Sequence, residues 1–191
     1  SWNETNSEWN TATNAYWPLS GSLTFIGYTP FTSGNADVNA AYDKATKELT
    51  ITNFSAANQD DLMYTLPSDA QDLTVNSAPY IQEQGGTSAY SGVPIKFRHA
   101  LSQIVVTAKV ADEYTGATFK INSISLQGMN DNATLTVTEN ASWGTASSNA
   151  TSFAIFSGTS DALTTGAASV GTPVLVIPQA LVDNQQKLVI S

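Results

Sequence analysis

The chain carries 191 residues and a formal net charge of −9, with only seven Lys or Arg, so it lacks the clustered cations that nucleic acid or an anionic membrane surface requires. It has no cysteine, which removes disulfide frameworks and thiolate metal sites without fixing the compartment. Charged residues supply only 12%, about half the usual share, and 21 Ser, 24 Thr and 15 Asn fill the gap, a bias toward strands and decorated turns.

Residues 1–16 read as an irregular polar arm with Trp2, Trp9 and Tyr16 scattered through it. Trp17-Pro18 then leads into Ser22–Tyr28, where Leu23 and Phe25 share one face of an alternating strand that ends at Thr29-Pro30. Ala41-Tyr42 and Leu49–Phe54 flank the polar link Asp43–Glu48 and predict a hairpin. Leu62, Tyr64 and Leu66 alternate in a short strand that Pro67 stops, and residues 68–76 have room for one more short element. Helical periodicity is weak throughout.

Gln84-Gly-Gly-Thr-Ser-Ala-Tyr-Ser-Gly-Val-Pro94 has the composition of a linker and divides the chain into residues 1–92 and 93–191. The strongest strand signal follows, from Ile95 to Val110. Ile95, Phe97 and Leu101 occupy odd positions, whereas Ile104, Val106, Ala108 and Val110 occupy even ones. A period of two cannot change face without an inserted residue or a change of partner. The slip near Ser102-Gln103 therefore predicts a β-bulge or a strand serving two sheets, and Phe119, Ile121, Ile124 and Leu126 repeat it. Strands at 134–138, 153–156, 174–177 and 187–190 complete what reads as a β-sandwich.

No run approaches the roughly 18 apolar residues of a membrane helix. The start at Ser1 is read as a mature form or a chain without its targeting segments. Leu188-Val-Ile190 stands at the last residues in an apolar run, so either a neighbouring chain completes this sheet or, as we expect, the native polypeptide continues past Ser191.

Four motifs then align in order: Tyr16-Trp17-Pro18 before Phe25-Ile-Gly-Tyr28-Thr-Pro30, Asp61-Leu-Met-Tyr64, Phe97-Arg-His-Ala-Leu-Ser-Gln-Ile104, and Val174-Leu-Val-Ile-Pro178-Gln179. Together they span nearly the whole chain, which resembles the fimbrillin-like family of Bacteroidetes surface-fibre proteins, the Mfa-like fimbrillins included. The resemblance implies two consecutive transthyretin-like β-sandwich domains, the second of which looks truncated at its C-terminus. It implies export as a lipoprotein precursor and proteolysis after an arginine that removes an N-terminal strand. A strand from another subunit then fills the opened groove at the cell surface, by β-augmentation. The single arginine is Arg98, so this sequence does not show where such a cleavage would fall. For the groove the sequence offers the strand around Leu23 and Phe25.

The expected partners are other fimbrial subunits, together with a host protein or glycan. The alternative is a tip adhesin or carbohydrate-binding sandwich, for which Trp143, in an Ala-, Ser- and Asn-rich loop, is the candidate exposed aromatic. Enzymatic chemistry ranks behind both, and no catalytic residue, cofactor or metal is expected. His99 is the only histidine and is read as a buried or half-buried structural imidazole. Asp60-Asp61 and Asp112-Glu113 are sequence neighbours, which point to opposite faces on a strand and suit solvated loops better than a glycosidase pair. Gly128-Met-Asn-Asp-Asn132 reads as an Asx-rich turn lacking the ligands of a calcium loop. Asn3, Asn53, Asn132, Asn140 and Asn149 begin N-x-Ser/Thr sequons, as this composition produces by chance.

Overall fold

The computed structural model describes residues 2–3, 5, 8–9, 25–30, 39–66, 95–114, 116–183 and 185–191, and it is all-β, with several antiparallel sheets and no α-helix among them. β1 (Trp2–Asn3) and β2 (Glu8–Trp9) form a small ladder, Trp2 opposite Trp9, within the stretch expected to be irregular. Ser22, Leu23 and Thr24 of the strand expected over 22–28 lie outside the described residues, and the described part reaches strand geometry only in β3 (Tyr28–Thr29).

The predicted hairpin is present as β4 (Asn39–Asp43) and β5 (Glu48–Ser55), closed with Asp43 opposite Glu48. Its turn is organised by Asp43, whose Oδ1 accepts the Ala45 N–H at 2.7 Å, an Asx turn. Leu49 and Ile51 point into the core, and the next inward side chain is Phe54. The change of phase falls at Asn53, which takes φ 56°, a left-handed conformation that a short polar residue tolerates. A single turn of 3₁₀ helix (Ala56–Asn58) follows, capped by the Ser55 hydroxyl, and leads to β6 (Met63–Tyr64). β3 pairs with β6, and the buried Thr65 fixes the join: its hydroxyl accepts the Gly27 N–H at 2.7 Å and its own N–H donates to Gly27 O at 3.0 Å.

The phase slip after residue 95 is a change of partner. β7 (Arg98–His99) pairs with β6, whereas β8 (Ser102–Ile104) pairs with Val174–Val176 and β9 (Thr107–Ala108) with Ala168–Ser169. Ala100, between the first two, is buried and donates its N–H to Leu62 O at 2.8 Å.

β10 (Ser123–Val137) is 15 residues long and organises the largest sheet. Along one edge it pairs with β11 (Ala141–Trp143) and then β12 (Ser147–Ser157). β13 (Ala168–Ser169), β14 (Val174–Val176) and β15 (Lys187–Ile190) follow. The opposite edge of β10 takes β15 against residues 124–127 and β5 against 132–137, with β4 outside β5. Inward positions along β10 shift from Ile124 to Met129, Ala133, Leu135 and Val137, and bulges near 124/125, 126/129 and 130/132 absorb the change. Gly128, at φ 78°, makes one bulge possible, because a Cβ there would stand 2.1 Å from Gln185 O.

One hydrophobic cluster joins both parts of the chain: Leu49, Ile51, Phe54 and Leu62 pack with Ile124, Leu135, Val137, Phe153, Val174 and Ile177. Full burial of such side chains contributes about 1.5–3 kcal/mol each. The arrangement is sandwich-like, the large sheet covering the short pairs β8–β14 and β9–β13 and the three-stranded sheet β3–β6–β7. The boundary expected at 92/93 falls within 67–94, outside the described residues.

Candidate functional site

The chemistry-bearing residues singled out in the sequence are dispersed. His99 corrects its expectation. It is 69% exposed, and its Nδ1 meets Asp61 Oδ2 at 2.8 Å rather than backbone groups. The reason is the switch of partner: Phe97, Arg98 and His99 all lie on the outside, and burial starts only at Ala100. Asp61 is thus tied to a neighbouring strand, while Asp60 Oδ2 and Asp61 Oδ1 are shielded from solvent without hydrogen-bond partners. Asp112 and Glu113 sit in an exposed turn. Gly128–Asn132 lies inside β10 rather than in a loop, and no group of three or more His, Asp or Glu is placed to hold a metal ion among the described residues.

Trp143 is half-buried on β11, where the sequence offered an exposed aromatic. Its Nε1–H donates to Ala100 O at 2.9 Å, and its ring lies 5.9 Å from that of Phe54, tilted by 47°. Both contacts are long-range in sequence, which is why loop composition around residue 143 concealed them. The indole is a packing anchor between β5, β11 and Ala100, just before β8. Phe25 is half-buried.

What the surface does offer is sheet edge. β15 is paired on one side, to β10, with Ile124 opposite Ile190 and Gln127 opposite Lys187. Ser191 and Ser123 exchange both backbone bonds at 3.1 Å, and their hydroxyls meet at 2.7 Å. Antiparallel ladders alternate, so Val189 also bonds inward, while Leu188 and Ile190 turn their N–H and C=O to the outer edge. No described strand pairs with that edge. All three apolar side chains are exposed: Leu188 at 48%, Val189 at 38% and Ile190 at 52%. Leu188 and Ile190 share one face and Val189 takes the other, so β15 is apolar on both sides. Leu181 and Val182 add exposed apolar surface earlier in the same C-terminal segment. The outer edge of β4 is also unpaired among the described residues, but it is polar apart from Tyr42 and its alanines. A row of unmatched N–H and C=O groups is a template for another strand.

Sequence reasoning missed three glutamines that hold strand edges. Gln59 binds both backbone groups of Leu175, Gln179 binds both of Asn130, and Gln186 donates to Gly128 O. Gln179 ends the Val174–Gln179 motif, yet nothing in its spacing marks it.

Among its described residues the molecule is all-β and carries open strand edges, each a template on which a further strand can pair. The chain belongs to the fimbrillin-like family, whose model matches residues 2–191. The family is one of fimbrial subunits, generally non-enzymatic, which assemble with other subunits into cell-surface fimbriae. Comparison with curated proteins and with solved structures returned no match. Among the described residues no helix is long and apolar enough to cross a membrane.

Proposed function

We propose that this chain is a structural subunit of a bacterial surface fimbria of Bacteroidetes type, polymerising by β-strand donation between subunits. The observation that carries the reading, beside family membership, is the outer edge of β15, which pairs with no described strand and carries exposed Leu188, Val189 and Ile190. Backbone bonds along such an edge supply affinity, and alternating apolar side chains seated in pockets supply register. A donated strand that buries several large side chains gains about 1.5–3 kcal/mol from each, enough for a polymer to resist dissociation without covalent links.

Export as a lipoprotein precursor, proteolytic opening of a groove, and a groove wall that includes Leu23 and Phe25 belong to the same reading. So do two transthyretin-like units over 1–92 and 93–191. In that division β10 is the seam: residues 123–127 serve strands of the second unit, and 132–137 bring in β5 from the first. The packing of Trp143 gives the adhesin alternative no support.

The test is a gel of surface-sheared material from the native source, run with and without boiling and probed for this chain. A ladder of SDS-resistant multimers that collapses on heating is expected. A monomer band alone in both lanes refutes polymerisation. Leu23→Asp and Phe25→Asp variants that fold and still polymerise normally remove those two residues from the groove.

A further inference from the structure

Two of the three glutamines repeat one device. Gln59 Oε1 accepts the Leu175 N–H at 2.7 Å, and its Nε2 donates to Leu175 O at 3.0 Å and to Ala56 O at 2.8 Å. Gln179 Oε1 accepts the Asn130 N–H at 3.1 Å, and its Nε2 donates to Asn130 O at 2.8 Å and to Ile177 O at 3.2 Å. In each case a primary amide satisfies the N–H and the C=O of one strand residue, as a residue of a neighbouring strand does. Its second Nε2 hydrogen is spent on a carbonyl close to the glutamine itself.

The places where this happens are not random. Leu175 is the middle residue of β14, and both its polar groups face Gln59, so they point away from β8 toward the outer edge. Asn130 lies on the edge of β10 that faces away from β12, between the end of β15 pairing at Gln127 and the start of β5 pairing at Asn132. That ladder has a gap over residues 128–131. Gln186 fills its first position by donating to Gly128 O at 3.0 Å while its Oε1 accepts the Val182 N–H at 2.7 Å, and Gln179 fills the third.

We propose that Gln59 and Gln179 are edge guards: their side-chain amides stand in for a missing strand and close β14 and the gap in β10 to any incoming chain. Neither guard depends on the fimbrial reading. An unguarded Leu175 presents a matched donor and acceptor on an open edge, the template for unwanted pairing with a second copy. The guards close two places only: the outer edges of β4, β12 and β15, among others, have no described strand paired to them.

The experiment uses the whole chain. In the wild type, hydrogen exchange at the Leu175 and Asn130 amides should be slow, like that of the ladder-bonded Val189, whereas the outward amides of Leu188 and Ile190 exchange fast. Fast exchange at both Leu175 and Asn130 overturns the proposal before any variant is made. Gln59→Met keeps length and removes the amide, so exchange at Leu175 should rise about tenfold, the effect of losing one hydrogen bond. The variant should also self-associate in sedimentation at concentrations where the wild type is monomeric. Gln59→Glu still accepts from Leu175 N–H and places a charge on the edge, so it should stay monomeric. Gln179→Met, read at Asn130, repeats the test if the first variant fails to fold. Folded Met variants that remain monomeric reduce these glutamines to ordinary ties between segments and overturn the guard role.

Discussion

Gly128 allows the bulge chemistry of β10 to be tested against numbers. Alanine at this position meets two separate penalties. The first is the φ of 78°, which costs a residue with a Cβ about 1–3 kcal/mol. The second is collision: the new Cβ would lie 2.1 Å from Gln185 O and 2.9 Å from Gln185 C, both backbone atoms that no rotamer change can move aside. Forcing that segment away adds about 1–3 kcal/mol, by the measure of overpacked cores. The sum is about 2–6 kcal/mol, a fall in melting temperature of roughly 5–20 °C for a chain of this size. Gly116 supplies the control, since it has φ 105° but nothing within 4 Å of its Cβ, so Gly116→Ala isolates the backbone term. Urea denaturation of both variants beside the wild type separates the two penalties. If Gly128→Ala loses no more than about 0.5 kcal/mol beyond Gly116→Ala, the error range for surface changes, the close approach of residue 185 to β10 is wrong.

Three further outcomes are expected. Trp143→Phe retains an aromatic ring but leaves the buried Ala100 carbonyl without its donor, a loss of about 1–3 kcal/mol in denaturant midpoint. Phe54→Ala should cost about 3–5 kcal/mol, and because Phe54 packs in one cluster with Leu135 and Val137, far-UV circular dichroism and Trp fluorescence should report one shared, lowered transition. His99→Gln should change stability by less than about 1 kcal/mol in thermal melts, because its pair with Asp61 is exposed to solvent.

The sequence was most legible where structure is local or where periodicity leaves no freedom. The β4–β5 hairpin could be read from two strand-like runs around Asp43–Glu48, because its closure involves neighbours. The partner switch after His99 could be read from the phase of Phe97 and Leu101 against Ile104 and Val106, since alternation cannot change face otherwise. Partner identity was not legible: nothing in Leu49–Phe54 states that it faces Ala133–Val137, because any amphipathic strand presents the same pattern. His99 was misjudged because alternation gives a face without saying whether that face is covered. Gly128–Asn132 looked like a turn because glycine and Asx residues disfavour strands, and its bulges are held by Gln179 and Gln186 from a distant segment. Of the proposed groove residues, Leu23 lies outside the described residues and Phe25 is half-buried.

The route by which β10 recruits its partners also sets an order of events during folding. The β4–β5 hairpin closes through a short turn, and hairpins of this kind form in about 1–10 μs. Its docking is different: Asn132 donates to Asn53 O across 79 residues of sequence, and Gln59 reaches Leu175 across 116. Contacts so remote must wait until loop-closure entropy has been met, which places the chain among slow, high-contact-order folders. An early hairpin therefore has no complete sheet to join until β10 is available. During that interval Ile51 and Phe54, among the most buried side chains of the finished molecule, are open to solvent and to other chains.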